Sequence, residues 1–260
     1  MKGTTMLTQP TMEGLRKLRL PAMAAGVLEQ REQPDYTQLG FEDRLGLLVA
    51  KELLQRENHR LARMLKLAKL AIPATIEDVD YTGHRGLERA TLTSLVGSHW
   101  VTHHHNVVIV GPTGVGKSYL ACALAHSAIR EGHRALYTRT PRLLDDLALA
   151  RADGRLSRVM SSLARVDVLV LDDGFLRPLT SDQAADLLEV IEDRSNRSTI
   201  VTSQLPVKHW HEGLGDPTIA DATLDRLLER CHRIELEGES RRRRTTDPTS
   251  ITSNATDSIR

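Results

Sequence analysis

A chain of 260 residues, 40% of them apolar, is long enough for one large domain and an appendage. Only 3% are aromatic, so the core must rest on Leu, Val, Ile and Ala, as in helices packed on a parallel sheet. A net charge of +1 excludes a global basic field, and any nucleic-acid contact has to come from a local patch.

In chain order, Met1–Pro10 reads as a loose leader. A helical pattern follows from Thr11 to Gln33, with Leu15, Leu18 and Met23 among its apolar positions and Pro21 placed to divide it. Pro34 and Asp35 break it, and a longer helix is predicted from Phe41 to about Leu70. At about 100° per residue, its second half puts Leu54, Leu61, Met64, Leu65 and Ala68 on one side. Arg56, Arg60, Arg63, Lys66 and Lys69 fall mostly on the other. Two readings fit this basic face. It is either a solvated surface or a contact with the DNA phosphate backbone, where clustered cations displace counterions. Only Glu52 and Glu57 offset the cations, which favours the second.

Pro73 ends this helix, and a domain boundary is expected near residues 71–80. A connector and a helix of roughly Gly86–Leu95 come next. His103, His104 and His105 precede the first core strand. On an extended chain consecutive side chains point to opposite faces, so these three are poorly placed to share a metal.

Val107–Ala125, VVIVGPTGVGKSYLACALA, is the stretch that organises the rest. It reads as a buried strand, a glycine-rich turn and the start of a helix. The turn has the form G-x-x-x-x-G-K-S, running through Gly111, Pro112, Thr113, Gly114, Val115, Gly116, Lys117 and Ser118 to Tyr119. Glycines let successive N–H groups turn inward towards a phosphate, and the helix N-terminus adds its dipole. Lys117 supplies a cation for the outer phosphates, and Ser118 a hydroxyl for Mg²⁺. A nucleoside triphosphate is the ligand this pattern calls for.

Regular alternation follows. Helices are predicted at Ser118–Glu131, Pro141–Ala150, Leu156–Ala164, Leu179–Arg194 and Ala220–Glu229. Strands are predicted at Arg134–Thr138, Val166–Leu171, Ser198–Ser203 and His232–Leu236. Such alternation implies right-handed crossovers and a parallel sheet covered on both faces. Asp172 and Asp173 stand at the carboxyl end of VDVLVL, where open parallel sheets place ligands. Asp172 suits Mg²⁺ held alongside Ser118, and Asp173 suits polarising the attacking water. Thr202, Ser203 and Gln204 end the next strand and are placed to meet the terminal phosphate or a water. Arg226 and Arg230 lie on the last predicted helix, and Arg241–Arg244 follow. An arginine facing a γ-phosphate stabilises transferred charge, whereas a surface ion pair with Asp225 or Glu229 is the commoner fate. Residues 245–260 are polar, without periodicity, and read as a disordered tail.

Cys122 and Cys231 form no metal-type pair and fit a reducing compartment. No apolar run reaches membrane-spanning length, and the first residues lack a signal-peptide core. A soluble, cytoplasmic protein without a membrane partner is expected.

The order of these signals resembles the IstB-like ATP-binding helpers of insertion-sequence transposition and, beyond them, the DnaC-type helicase loaders. The resemblance rests on LRLPAMA, HRGLERATLTSL, GPTGVGKSYLACALA, LVLDD, STIVTSQLP, GDPTIADATLDRLLER and GESRRR, covering roughly Leu15 to Arg244. It implies an α/β P-loop AAA+ core (residues 76–244) with five parallel strands between helices. A small all-helical N-terminal domain (1–75) for DNA or partner binding would precede it. It makes Gly111–Ser118 the Walker A loop and Asp172 with Asp173 the Walker B acids. Ser203 and Gln204 take the sensor-1 region, Arg226 the arginine finger acting in trans, and Arg242 the sensor-2 position. It further implies an ATPase that uses ATP and Mg²⁺, forms homo-oligomers on double-stranded DNA and assists a transposase; delivery of a replicative helicase is the alternative. Many AAA+ proteins carry Glu where Asp173 stands, one methylene longer, so slow hydrolysis is expected. A small-molecule kinase shares the phosphate loop but leaves the basic N-terminal helix unexplained.

Overall fold

The computed structural model describes residues 8–80, 86–87 and 89–240. Its backbone divides into two compact units, residues 1–63 and 64–260, and the division falls inside a single helix, Phe41–Ala68. Ala68, Ala74, Ile76 and Val79 belong to the second unit and are buried, so the division comes ahead of the expected 71–80.

In the first unit, the run expected from Thr11 to Gln33 is two helices, α1 (Thr8–Lys17) and α2 (Pro21–Glu32). Arg19 between them adopts a φ of 59°, and Pro21 opens α2 at a position where a missing N–H is harmless. A 3₁₀ turn, Pro34–Gln38, leads to α3 (Phe41–Ala68). The first N–H groups of α2 find their acceptor on α3: Ala22 and Met23 donate to Glu52 Oε2 at 2.9 and 3.2 Å. A carboxylate there satisfies orphan donors and complements the helix dipole. Arg56 Nε donates to Glu52 Oε1 at 2.9 Å, and its Nη2 to the Arg19 carbonyl at 2.8 Å. Burial pushes the Glu52 carboxyl up, but the hydrogen bonds from Arg56, Met23 and Ala22 outweigh it and hold the group below its ordinary range. Apolar burial is thin by comparison. Leu18, Phe41, Leu53 and Leu54 are 60–78% exposed, and Leu54 is thus not part of a covered apolar side.

The second unit is built on a five-stranded, wholly parallel sheet in the order β2-β3-β4-β1-β5. Its strands are β1 (Asn106–Val110), β2 (Ala135–Arg139), β3 (Val168–Asp172), β4 (Ser198–Ser203) and β5 (Cys231–Glu235). The three central strands β1, β3 and β4 are buried at every residue; β1 and β3 carry the apolar runs expected when both faces are covered, whereas the hydroxyls of β4, STIVTS, are hydrogen-bonded. Helices α4 (Arg89–Val96) and α5 (His99–Thr102) precede the sheet, and α6 (Lys117–Arg130) follows β1 and packs across β1–β4. The opposite layer holds α7 (Thr140–Ala152), α8 (Leu156–Ala164), α9 (Ser181–Glu192), α10 (Trp210–Leu214) and α11 (Pro217–Leu228). There Val108, Val110, Leu169, Leu171 and Val201 meet Leu144, Leu147, Leu187 and Leu227 in one core.

Helix α9 starts later than its predicted Leu179 because Thr180 and Gln183 form a capping box at its N-terminus. Helices α5 and α10 have four and five residues, too short for a periodic signal. Trp210 on α10 is fully buried, its ring stacked on Phe175 at 4.4 Å between centroids, and its Nε1 donates to the Leu205 carbonyl. Arg194, just past α9, is 2% exposed. Its guanidinium donates to the carbonyls of Leu163, Val166 and Ser198 and to Thr199 Oγ1, tying the end of α8 to the starts of β3 and β4. Asn106 does the same at the start of β1. Its amide donates to the Arg226 and Leu227 carbonyls and accepts from the Thr199 N–H.

Candidate nucleotide site

The phosphate loop leaves β1 at the carboxyl end of the sheet. Gly111 has a φ of 149°, and a Cβ built on it would stand 2.2 Å from the Leu236 carbonyl, so only glycine lets the loop lie against the exit of β5. Gly116 opens α6 at φ 104°, again the left-handed region. Val115 is buried and anchors the loop from beneath. Lys117 Nζ donates to the carbonyls of Gly111 and Pro112, both at 2.8 Å, so the cation is held over its own loop. An incoming phosphate would compete for these hydrogens with a full charge.

Across the loop stands Asp172, buried at the end of β3. Its Oδ1 accepts from Ser118 Oγ at 2.9 Å and from Thr202 Oγ1, and its Oδ2 from the Tyr137 hydroxyl at 2.5 Å. Burial first, then the adjacent Asp172 carboxylate, pushes the Tyr137 phenol far up, so it remains a donor. Ser118 and Asp172 are paired hard oxygen donors, and Mg²⁺ asks for one or two such groups plus phosphate oxygens and water. The residues therefore fit that ion, whose charge would offset that of the outer phosphates.

Asp173 takes a φ of 56°, and its Oδ2 accepts from Arg139 Nε at 3.1 Å and Nη2 at 3.0 Å. Gln204 Oε1 accepts from Thr113 Oγ1 at 2.6 Å, which places Gln204 on the phosphate loop. Ser203, by contrast, is buried and donates to the Gly174 carbonyl at 2.7 Å, supporting the turn after the acids. Thr202 is the residue of β4 that reaches the acids: besides its bond to Asp172, its Oγ1 accepts from the Asp173 N–H at 3.1 Å.

These groups open into a cavity of about 890 Å³. The loop residues from Thr113 to Tyr119, Tyr137, Arg139, Asp172, Asp173 and Gln204 line its polar end. Ala71, Ile72, Val79, Leu87 and Leu236 line an apolar one, suited to the face of a base. Apart from Leu236, which follows β5, the apolar wall comes from the segment between α3 and α4 and was not foreseen. Tyr137 and Arg139 were missed too. They enter because β2 pairs with β3, with Arg139 in register with Asp172.

Other predicted residues lie elsewhere. Arg226 sits near the start of β1, at the opposite end of the sheet from the phosphate loop. Its Nη2 is 2.8 Å from Glu192 Oε1, and its Nη1 donates to the Ala222 carbonyl at 3.2 Å. Arg230 lines a small cleft beside it with Arg194 and Arg197. Arg242 lies outside the described residues, as does the tail 245–260. On α3, Arg60, Arg63 and Lys66 are exposed, whereas Arg56 is engaged by Glu52 and Arg19. Lys69 falls beyond the end of the helix, at φ 52°. The histidines do not run along an extended strand: His103 and His104 form a turn after α5, and His105 Nδ1 lies 3.3 Å from His232 Nε2 of β5. Among the described residues, no group of three or more His, Cys, Asp or Glu is placed to hold a metal, and no helix is long and apolar enough to cross a membrane.

The family model described as IstB-like ATP binding protein matches residues 13–249. An insertion-sequence ATP-binding protein of Sinorhizobium fredii, y4pL, is 49% identical over 239 residues, covering 92% of this chain and 98% of that one. The ATP-binding protein of insertion sequence IS1162 from Pseudomonas fluorescens is 48% identical, over 77% of this chain and 88% of its own. Among solved structures, the DnaC helicase loader matches with a TM-score of 0.54 at 21% identity, over 62% of this chain and 95% of that one. DnaI matches at 0.56 and 20%, over 68% and 94%. These two share the fold, an α/β P-loop core of the AAA+ kind. The phosphate loop, the paired acids and similarity along nearly the whole chain lead to one conclusion: the chain belongs to the IstB-like ATP-binding protein family.

Proposed function

We propose that this protein is an ATP-hydrolysing assembly factor of insertion-sequence transposition, which oligomerises on duplex DNA and assists a transposase in the cytoplasm. The observation that carries the reading is the separation of Arg226 from Lys117. The two stand at opposite ends of a parallel sheet, with strand β1, roughly 13 Å of backbone, between them. An arginine so placed reaches a γ-phosphate only in a neighbouring copy, so hydrolysis would require assembly. In this reading Lys117 holds the outer phosphates, Ser118 and Asp172 hold Mg²⁺, Asp173 orients the attacking water and Arg226 completes the neighbour's site. Residues 1–75 supply the DNA and partner surface, with Arg60, Arg63 and Lys66 its phosphate contacts.

Relatives that match over nearly their whole length are insertion-sequence proteins, which favours a transposase over a helicase as the partner. The test is sedimentation of the purified protein with duplex DNA, with and without ATP and Mg²⁺. A large complex that contains DNA and needs nucleotide is the expected result. A monomer indifferent to DNA in both conditions would overturn the reading.

A further inference from the structure

Arg226 is held within its own chain by contacts that an engaged arginine finger could not keep. Nη2 meets Glu192 Oε1 at 2.8 Å and Nη1 meets the Ala222 carbonyl at 3.2 Å, so the guanidinium lies folded back along α11. Neither backbone is free to drift. The Arg226 carbonyl is fixed by Asn106, and the chain two residues after Glu192 is fixed by the buried Arg194. The ion pair is therefore set by the scaffold rather than by chance meeting of two long side chains.

Glu192 is also badly placed for its own helix. It is the last residue of α9, whose final turn carries no basic residue, and a carboxylate there opposes the helix dipole. The cation that offsets it is Arg226. We propose that Glu192 is a latch: it parks Arg226 in the unassembled protomer and releases it when a triphosphate in a neighbouring copy competes for the guanidinium. The competition is uneven. Arginine grips either group at two oxygens, but a carboxylate brings one charge, whereas a triphosphate brings several. The latch is weak enough to open, since both side chains are nearly half exposed and such pairs hold by at most about fivefold. Its effect is to make neighbour contact conditional on nucleotide. The inference rests on Arg226 being the trans-acting finger.

The experiment measures ATP turnover against protein concentration for the wild type, Glu192→Gln, Arg226→Ala and the double variant. Melting temperature and ATP affinity of the dilute protein are recorded alongside. Glu192→Gln should lower the protein concentration for half-maximal turnover about two- to fivefold, with ATP affinity unchanged and melting temperature not reduced. In the Arg226→Ala background the same change should do nothing. An unchanged or raised midpoint, or an equal shift in both backgrounds, overturns the latch. The two readings fail differently. If Arg226→Ala turns over like the wild type at saturating protein, the finger falls and the latch with it. If Arg226→Ala is slow while Glu192→Gln matches the wild type, the finger stands and the latch alone falls.

Discussion

The two units of this chain are stabilised in opposite ways. Residues 64–260 bury three central strands completely and wrap them in Leu, Val and Ala, so apolar area sets the structure and polar groups are placed upon it. In residues 1–63 the order is reversed. A buried carboxylate, Glu52, ties α2 to α3 through two backbone N–H groups and Arg56, while Leu18, Phe41, Leu53 and Leu54 remain in water. The difference is one of means: the sheet-built unit rests on buried apolar area, whereas the helical unit is tied by polar bonds and leaves large apolar side chains exposed.

Four changes test that contrast. Lys117→Ala, which removes the cation that the outer phosphates would draw from the Gly111 and Pro112 carbonyls, should weaken ATP binding at least about a hundredfold in equilibrium titration. The helicity of the first unit should stay as it was. Next comes Arg194→Met, which strands the carbonyls of Leu163, Val166 and Ser198; chemical denaturation should show a loss of about 3 kcal/mol confined to the second unit. Third, replacing Arg60, Arg63 and Lys66 together by Ala should weaken DNA binding about tenfold and reduce its salt slope by about 0.9 for each phosphate no longer neutralised. An unaltered slope would return α3 to a solvated surface. The smallest effect is expected from acid. The Glu52 carboxyl lies below its ordinary 4.5 when folded, so its contribution is present above that pH and is lost as pH falls through the lowered value. Circular dichroism should show the first unit loosening there, and Glu52→Gln should remove that step.

Much of this arrangement was legible in the residues. VVIV and VLVL announce buried strands because both faces are covered and nothing polar interrupts them, and the spacing from Gly111 to Ser118 admits few other uses. What escaped depends on neighbours distant in the chain. Tyr137 and Arg139 join the site only because β2 lies beside β3, an order that the alternation of elements does not state. Arg56 shares the helical face of Arg60 and Arg63, yet the carbonyl of Arg19, reached through a left-handed turn, claims it. Arg194 looked like the end of a helix and is instead a buried clamp, because three carbonyls converge where α8, β3 and β4 meet. Periodicity reports which way a side chain faces, not who waits there.

The stack of Trp210 on Phe175 has an optical consequence. The chain's two tryptophans, Trp100 and Trp210, are both buried in the second unit, so fluorescence excited selectively at tryptophan is blind to the first, whose tyrosine is Tyr36. Phe175 follows Asp172 and Asp173 by only a few residues, which makes the Trp210 indole a native probe of the turn beneath the paired acids. Emission recorded while ATP is added would report that turn's response without a label, and emission recorded through unfolding would time one unit separately from the helices that precede it.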